Sequence, residues 1–292
     1  MSRFLSITPK PEELRPDVPP LPVRTASQKV ATPLELGQIP VEQVHIHPGS
    51  RIPLHTDPRG LAADRFRLLR LRLRERADTG KLKRLLITSP LPQDGKSTIA
   101  LNLATTLAER GKRTVLLLEA DLYHATLAER LGIPARPGLA ECLEGGLDSM
   151  SALRRLEPLG WYFLSGGDAH GHPTELLQSG KLSGVLEALS PYFDWIVIDS
   201  PPVNPIADTL SLAQHADASL LVVRAGVTPH EAVTSACQLL GPRHIMAIIL
   251  NGVEGLDRLY GKYYGRYGGT TPTSANGRSG TSEGSLESGR QR

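Results

Sequence analysis

Residues 88–98 read TSPLPQDGKST, and their close, Gly95-Lys96-Ser97-Thr98, is the close of a phosphate-binding loop. The strict pattern G-x-x-x-x-G-K-[ST] asks for glycine at position 90, where this chain has Pro90. A Gly-Lys-Ser tripeptide alone is weak, so its surroundings decide. Upstream lies the apolar run RLLITS (84–89), and downstream STIALNLATTLAERG (97–111) is patterned as a helix that ends at Gly111. A strand, a glycine-bearing loop and a helix start together aim backbone N–H groups and a helix dipole at one anion. In that frame Gln93, Asp94, Gly95, Lys96, Ser97 and Thr98 are the nucleotide-binding residues. Lys96 reaches the β- and γ-phosphates and Ser97 is an Mg²⁺ ligand.

Working outward, strand-length apolar runs recur at 114–120 (TVLLLEA), 161–165 (WYFLS), 195–199 (WIVID), 219–224 (SLLVVR) and 246–250 (MAIIL). Helical patterns lie between or before them, near 61–78, 96–110, 174–190, 205–214 and 229–240. Short continuous apolar strands alternating with helices predict an α/β fold of the P-loop NTPase kind, a mostly parallel sheet with helices on both faces. Two strands deliver carboxylates at their C-terminal ends, where open α/β sheets bind ligands: Glu119-Ala120-Asp121, and Asp199 before Ser200-Pro201-Pro202. Asp199 suits a metal-holding aspartate, and Ser97 and Asp121 complete that metal set. Glu119 and Asp121 share one face of an extended chain, and either could take a proton from an attacking hydroxyl. Lys96, Glu119, Asp121 and Asp199 are therefore the candidate catalytic residues.

The ends read differently. Residues 1–58 are rich in proline without sustained periodicity, which predicts a flexible N-terminal segment. Residues 268–292 are Gly/Ser/Thr-rich and too poor in large apolar side chains to offset ordering entropy, which predicts a disordered tail. That leaves 59–267 as the one folded domain. A net charge of +3 gives no argument for nucleic acid. Cys142 and Cys237 form no C-x-x-C, so neither a disulfide framework nor a zinc site is expected, and a reduced, cytoplasmic setting is the default. The start, MSRFLSITPK, turns to proline before an apolar signal core develops, and no apolar run approaches the roughly 20 residues of a membrane span. A soluble protein is expected. The histidines, His170-x-His172 included, show no metal spacing.

Taken together, the three motifs resemble the Walker A, Walker A′ and Walker B elements of the bacterial tyrosine kinases (BY-kinases) of capsule and exopolysaccharide synthesis. The likeness runs over about residues 60–267. It includes DWIVIDSPPVNPIADTLSLAQHADASLLVVRAG (194–226), similar to the family's Walker B block and the strand after it. HPTELLQS (172–179) is similar to the family's N-P-x-E-L-L segment, and IILNGV (248–253) to its G-V-V-L-N strand end. Family loops of the form P-G-x-G-K-[ST] lack the early glycine, which accounts for Pro90; Gln93 stands where the family has glycine. The Walker A′ pattern D-x-D-x-R is here Glu119-x-Asp121-x-Tyr123. Glutamate moves the first carboxylate about one methylene outward and would slow catalysis if it is the base. Tyrosine for arginine deletes a cation.

The helix AADRFRLLRLRLRER (62–76) carries Asp64, Arg67 and Arg70 on roughly one face. It resembles the family's E-x-x-R-x-x-R stretch, which implies a subunit contact in a homo-oligomer, including a ring. A helix lying on an anionic membrane and a solvated charged face are the competing readings. LYGKYYGRY (259–267) resembles the C-terminal tyrosine cluster that BY-kinases autophosphorylate, which implies Tyr260, Tyr263, Tyr264 and Tyr267 as acceptors. The resemblance implies an autokinase that uses ATP and Mg²⁺ and phosphorylates a neighbouring subunit in the cytoplasm. It also implies recruitment to the inner face of the membrane by a separate co-polymerase-type activator, and a tyrosine phosphatase as antagonist. Two alternatives remain. A MinD/ParA-like ATPase switch is marked by K-G-G-x-G-K-[ST], and Leu91 stands where its first lysine would be. An ATP-binding scaffold with weak kinase activity is suggested by Gln93, Glu119 and Tyr123.

Overall fold

Along the apolar strands, neighbouring side chains go to opposite cores. In Val115–Glu119, Val115 and Leu117 pack into one buried cluster and Leu116 and Leu118 into the other. Trp195–Asp199 divides the same way, Trp195 and Val197 against Ile196 and Ile198. A strand whose side chains are buried on both faces must lie inside a covered sheet. The computed structural model describes residues 36–47, 50–77, 82–204 and 206–254, and it has that sheet.

The strands, in chain order, are β1 (Val41–Gln43), β2 (Arg84–Thr88), β3 (Val115–Glu119), β4 (Arg154–Glu157), β5 (Trp161–Leu164), β6 (Trp195–Asp199), β7 (Ala218–Arg224) and β8 (Ile245–Asn251). Their order across the sheet is β1-β4-β5-β3-β6-β2-β7-β8. Every pairing is parallel except β4 with β5. One face is covered by the helices Leu61–Ala77, Lys96–Leu107 and Leu127–Leu131, through Leu73, Leu103 and Leu131 among others. The other is covered by Leu139–Glu144, Lys181–Leu189, Asp208–Gln214 and His230–Leu240, through Leu143, Leu186, Leu212 and Ala236. Leu85, Leu86 and Ile87 of β2 are fully buried, each worth about 1.5–3 kcal/mol over its exposed state. The expected mostly parallel α/β sheet is present, with the six expected strands in place.

The differences are local. β1 lies in the segment expected to be flexible: Ile39, Val44 and Ile52 are buried, and Val41–Gln43 pairs with β4 in parallel. The folded unit therefore takes in residues before 59. β4, with its two arginines, buries only Leu156, so its apolar signal is one residue deep. The helix expected over 174–190 is two, Pro173–Gln178 and Lys181–Leu189, parted at Gly180, whose φ of +74° breaks the helical path. Residues 260–267 and 268–292 lie outside the described residues.

Candidate active site

β2 ends at Thr88, and the loop after it feeds the helix Lys96–Leu107. Gly95, just ahead of that helix, has φ +101°, a left-handed conformation that favours glycine. Gln93 also sits at positive φ, +66°, with its side chain exposed. The loop is fastened from the ends of β7 and β8. The Asp94 carboxylate accepts hydrogen bonds from the Leu91 amide (3.0 Å) and from Thr228 Oγ1 (2.6 Å). Asn251 Nδ2 donates to the Asp94 carbonyl at 3.0 Å. Through these contacts Asp94 braces the loop.

Period-two alternation puts the ends of β3 and β6 on the face that carries the loop helix, and Glu119 is in register with Asp199. Lys96 reaches across to Asp121, Nζ to Oδ2 2.8 Å. Desolvation would lower the Lys96 pKa, but the carboxylates of Asp199, Asp121 and Glu119 outweigh it and raise it. Asp199 is 1% exposed. Its burial pushes its pKa up to about 7, against the pull of Lys96 and a hydrogen bond from Ser97, while Asp121 and Glu119 add to the rise. Its Oδ1 has no hydrogen-bond partner among the described residues. A buried carboxylate oxygen without a donor, beside a serine hydroxyl and a second aspartate, fits a hard divalent cation. Among the described residues no group of three His, Cys, Asp or Glu side chains could hold a metal ion by itself.

Glu119 is tied to the backbone through both oxygens. Its Oε1 accepts from the Leu127 amide at 2.6 Å and its Oε2 from the Gly166 amide at 3.0 Å. The carboxylate thus holds the start of the helix Leu127–Leu131 to the end of β5, and both oxygens are occupied. Burial raises its pKa, opposed by those backbone hydrogen bonds. Tyr123 turns away from the loop: its hydroxyl donates to Asp208 (2.5 Å) and shares a hydrogen bond with Thr174 (2.6 Å), while Gln178 Nε2 donates to the other Asp208 oxygen (2.7 Å). Tyr123 and Leu122, directly after Asp121, line a cleft of about 610 Å³ with Gly167, Asp168, His170 and Glu175.

On the helix Leu61–Ala77, Arg67 pairs with Asp64 (2.6 Å) and donates to the Pro58 carbonyl (2.6 Å). Arg70 points to the Thr106 carbonyl, 3.4 Å away at the end of the loop helix, where a cation suits the helix dipole. All three side chains have partners within the chain. Reading the sequence missed Thr228, Asn251 and Asp208, which brace the site without touching its centre. It also missed Arg130, whose Nη2 donates to Thr98 Oγ1 at 3.1 Å. Asn251 had a signal, a polar residue closing an apolar strand in IILNGV. Arg130 had none.

No protein-family model matches the chain. The tyrosine-protein kinase CpsD of Streptococcus pneumoniae is 31% identical over 193 residues, covering 64% of this chain and 85% of the relative. Other relatives are much longer. The tyrosine-protein kinase ptk of Acinetobacter johnsonii is 33% identical over 164 residues, 56% of this chain but 22% of its own length. The succinoglycan biosynthesis transport protein ExoP of Rhizobium meliloti (strain 1021) is 31% identical over 226 residues, 71% of this chain and 29% of its own. Among solved structures, the BceF tyrosine kinase domain superposes with a TM-score of 0.63 at 32% identity, covering 70% of this chain and 84% of that one.

Proposed function

Because the chain belongs to the family of bacterial tyrosine-protein kinases, we propose that its phosphate loop and strand-end carboxylates transfer the γ-phosphoryl group of ATP to a protein tyrosine. It is a protein-tyrosine kinase domain, tied to exopolysaccharide synthesis through relatives such as ExoP. One observation carries the assignment of roles: Lys96, Asp121 and the Asp199 oxygen that has no hydrogen-bond partner among the described residues converge at the start of one helix.

Lys96 is paired with Asp121. The β- and γ-phosphates compete for that ammonium, and as Lys96 turns to them Asp121 is released. The tyrosine oxygen bonds to the γ-phosphorus, the bond to the β–γ bridging oxygen breaks, ADP leaves, and the tyrosine proton passes to Asp121. Asp121 suits the base because both Glu119 oxygens are already bonded to backbone amides. Ser97, Asp121 and Asp199 would hold Mg²⁺, which when bound neutralises charge on the phosphates. The tyrosine enters by the cleft beside Tyr123.

Tyr260, Tyr263, Tyr264 and Tyr267 are the proposed acceptors, on a neighbouring copy of the chain. Asp64, Arg67 and Arg70 are the proposed oligomer contact, with Arg67 and Arg70 exchanging their internal partners for intermolecular ones on assembly. No helix among the described residues is long and apolar enough to cross a membrane. We assign the chain to the inner face of the membrane, through a membrane-embedded co-polymerase that activates it, with a tyrosine phosphatase opposing it. The direct test is immunodetection of phosphotyrosine on the purified chain after incubation with Mg-ATP, alone and with that activator. Signal in wild type and none in Lys96→Met supports the reading; equal signal in both overturns the assignment of the loop.

A further inference from the structure

Asp208 is a buried carboxylate, 2% exposed, at the start of the helix Asp208–Gln214. Among the described residues it forms no ion pair. Its side-chain donors are two neutral groups, Tyr123 Oη at 2.5 Å on one oxygen and Gln178 Nε2 at 2.7 Å on the other. A carboxylate buried without a counter-ion is costly unless donors satisfy it, so each of these donors is strongly held in place. The Tyr123 hydroxyl also shares a hydrogen bond with Thr174 Oγ1 at 2.6 Å. One phenol thus ties the segment after β3 to two helices, Pro173–Gln178 and Asp208–Gln214.

That segment carries Asp121. The His124 amide donates both to the Asp121 carbonyl and to Asp121 Oδ1, each at 3.2 Å, so residues 121–124 close a turn on the carboxylate itself. Asp121 Oδ2 lies 2.8 Å from Lys96 Nζ. The carboxylate is therefore set from two sides, by Lys96 of the loop helix and by a turn whose outer anchor is Tyr123. Tyr123 and Thr174 also line the cleft of about 610 Å³ beside this turn. The phosphate loop has a separate brace, through Asp94, Thr228 and Asn251. Loosening the turn would reach Asp121 and the cleft wall without unfastening the loop.

We propose that Tyr123 is a positioning residue for phosphoryl transfer: through Asp208 and Thr174 it fixes the turn that presents Asp121 to the tyrosine in the cleft. This rests on the kinase reading, in which Asp121 takes the acceptor proton, and adds to it a residue that touches neither ATP nor the transferred group. A misplacement on the order of 1 Å at a reacting group costs about 10²-fold in rate, so a hydroxyl remote from the phosphates can govern the chemical step. Its loss should lower kcat and leave nucleotide affinity unmoved.

The test uses the full chain with Mg-ATP, alone and with the activator, comparing Tyr123→Phe, Asp208→Asn, the double variant and Tyr123→Arg. Initial rates of phosphotyrosine formation at saturating ATP are measured beside Mg-ADP affinity, below the lowest melting temperature of the set. Tyr123→Phe should lower the rate by about tenfold or more and keep Mg-ADP affinity within about twofold of wild type. Asp208→Asn should lower the rate as well, and adding Tyr123→Phe to it should cost little further, because the two residues act as a pair. Tyr123→Arg offers Asp208 charge-assisted N–H donors at a similar reach and should recover a larger share of the rate than Tyr123→Phe. If Asp208→Asn does not fold, the contrast between Tyr123→Phe and Tyr123→Arg decides alone. A Tyr123→Phe rate within about twofold of wild type overturns the role. So does an equal loss of Mg-ADP affinity, a Tyr123→Arg rate no higher than that of Tyr123→Phe, or losses from Tyr123→Phe and Asp208→Asn that multiply in the double variant. Wild type that binds Mg-ADP but forms no phosphotyrosine in either condition overturns the kinase reading, and this role with it.

Discussion

The amide of Gly166 donates to Glu119 Oε2 at 3.0 Å, so the loop after β5 hangs on the last side chain of β3. With Leu127 on the other oxygen, Glu119 is a joint between three segments. Glu119→Gln would set an amide N–H₂ against at least one of these backbone donors. It should destabilise the chain by about 1–3 kcal/mol in thermal or urea unfolding. Below its new melting temperature the variant should still phosphorylate tyrosine. Lost activity at unchanged stability would return the base role to Glu119.

Asp199 makes stability depend on pH in a particular direction. Its folded pKa, about 7, lies above the ordinary aspartate value near 3.8, so the folded chain binds the extra proton in that window. Stability without metal should therefore fall as pH rises from about 4 to about 7. Asp199→Asn removes the burden of a buried charge, so the metal-free variant should melt higher than wild type at pH 8 and alike at pH 4. It should also lose Mg²⁺-dependent turnover. An Asp199→Asn variant less stable than wild type at pH 8 would mean that the Lys96 attraction outweighs desolvation.

The loop brace gives a smaller, separable effect. Thr228→Val removes the hydroxyl that donates to Asp94 Oδ1 at 2.6 Å and leaves a carboxylate oxygen without that donor. A cost of about 1–2 kcal/mol is expected, with KM for ATP raised more than kcat is lowered, because the loop is loosened before nucleotide arrives. Steady-state kinetics with varied ATP check this. A fall in kcat alone would place Thr228 in the chemical step.

Much of this was legible in the chain. Runs such as WIVID and VLLL are buried on both faces of the sheet, and several such runs alternating with helical patterns are what a covered parallel sheet produces, so the fold could be read from them. The grouping of Lys96, Asp121 and Asp199 could be anticipated, Lys96 from the Gly-Lys-Ser motif and the two aspartates from strand ends that a parallel sheet brings side by side. What escaped depends on partners distant in sequence. Asp94 looks like any loop acid until Thr228 and Asn251 are brought beside it, and Glu119 looks like Asp121 until the Leu127 and Gly166 amides arrive. β1 escaped because a three-residue strand with one half-buried side chain, Glu42, has no periodicity to detect. Arg130 sits at an exposed helical position like many arginines, and only its contact with Thr98 distinguishes it.

Transfer from one copy to the tyrosine cluster of another can be isolated in a mixing experiment. One chain carries Lys96→Met with its tyrosines intact; the other keeps Lys96 but has Tyr260, Tyr263, Tyr264 and Tyr267 changed to Phe. Neither alone should gain phosphotyrosine in the cluster. Mixed with Mg-ATP and the activator, the Lys96→Met chain should acquire phosphate on residues 260–267, located by mass spectrometry. Phosphate confined to Tyr123, Tyr162 or Tyr192 would rule out the cluster as the acceptor, and ATP hydrolysis without any phosphotyrosine in the mixture would rule out the kinase and favour a nucleotide-driven switch.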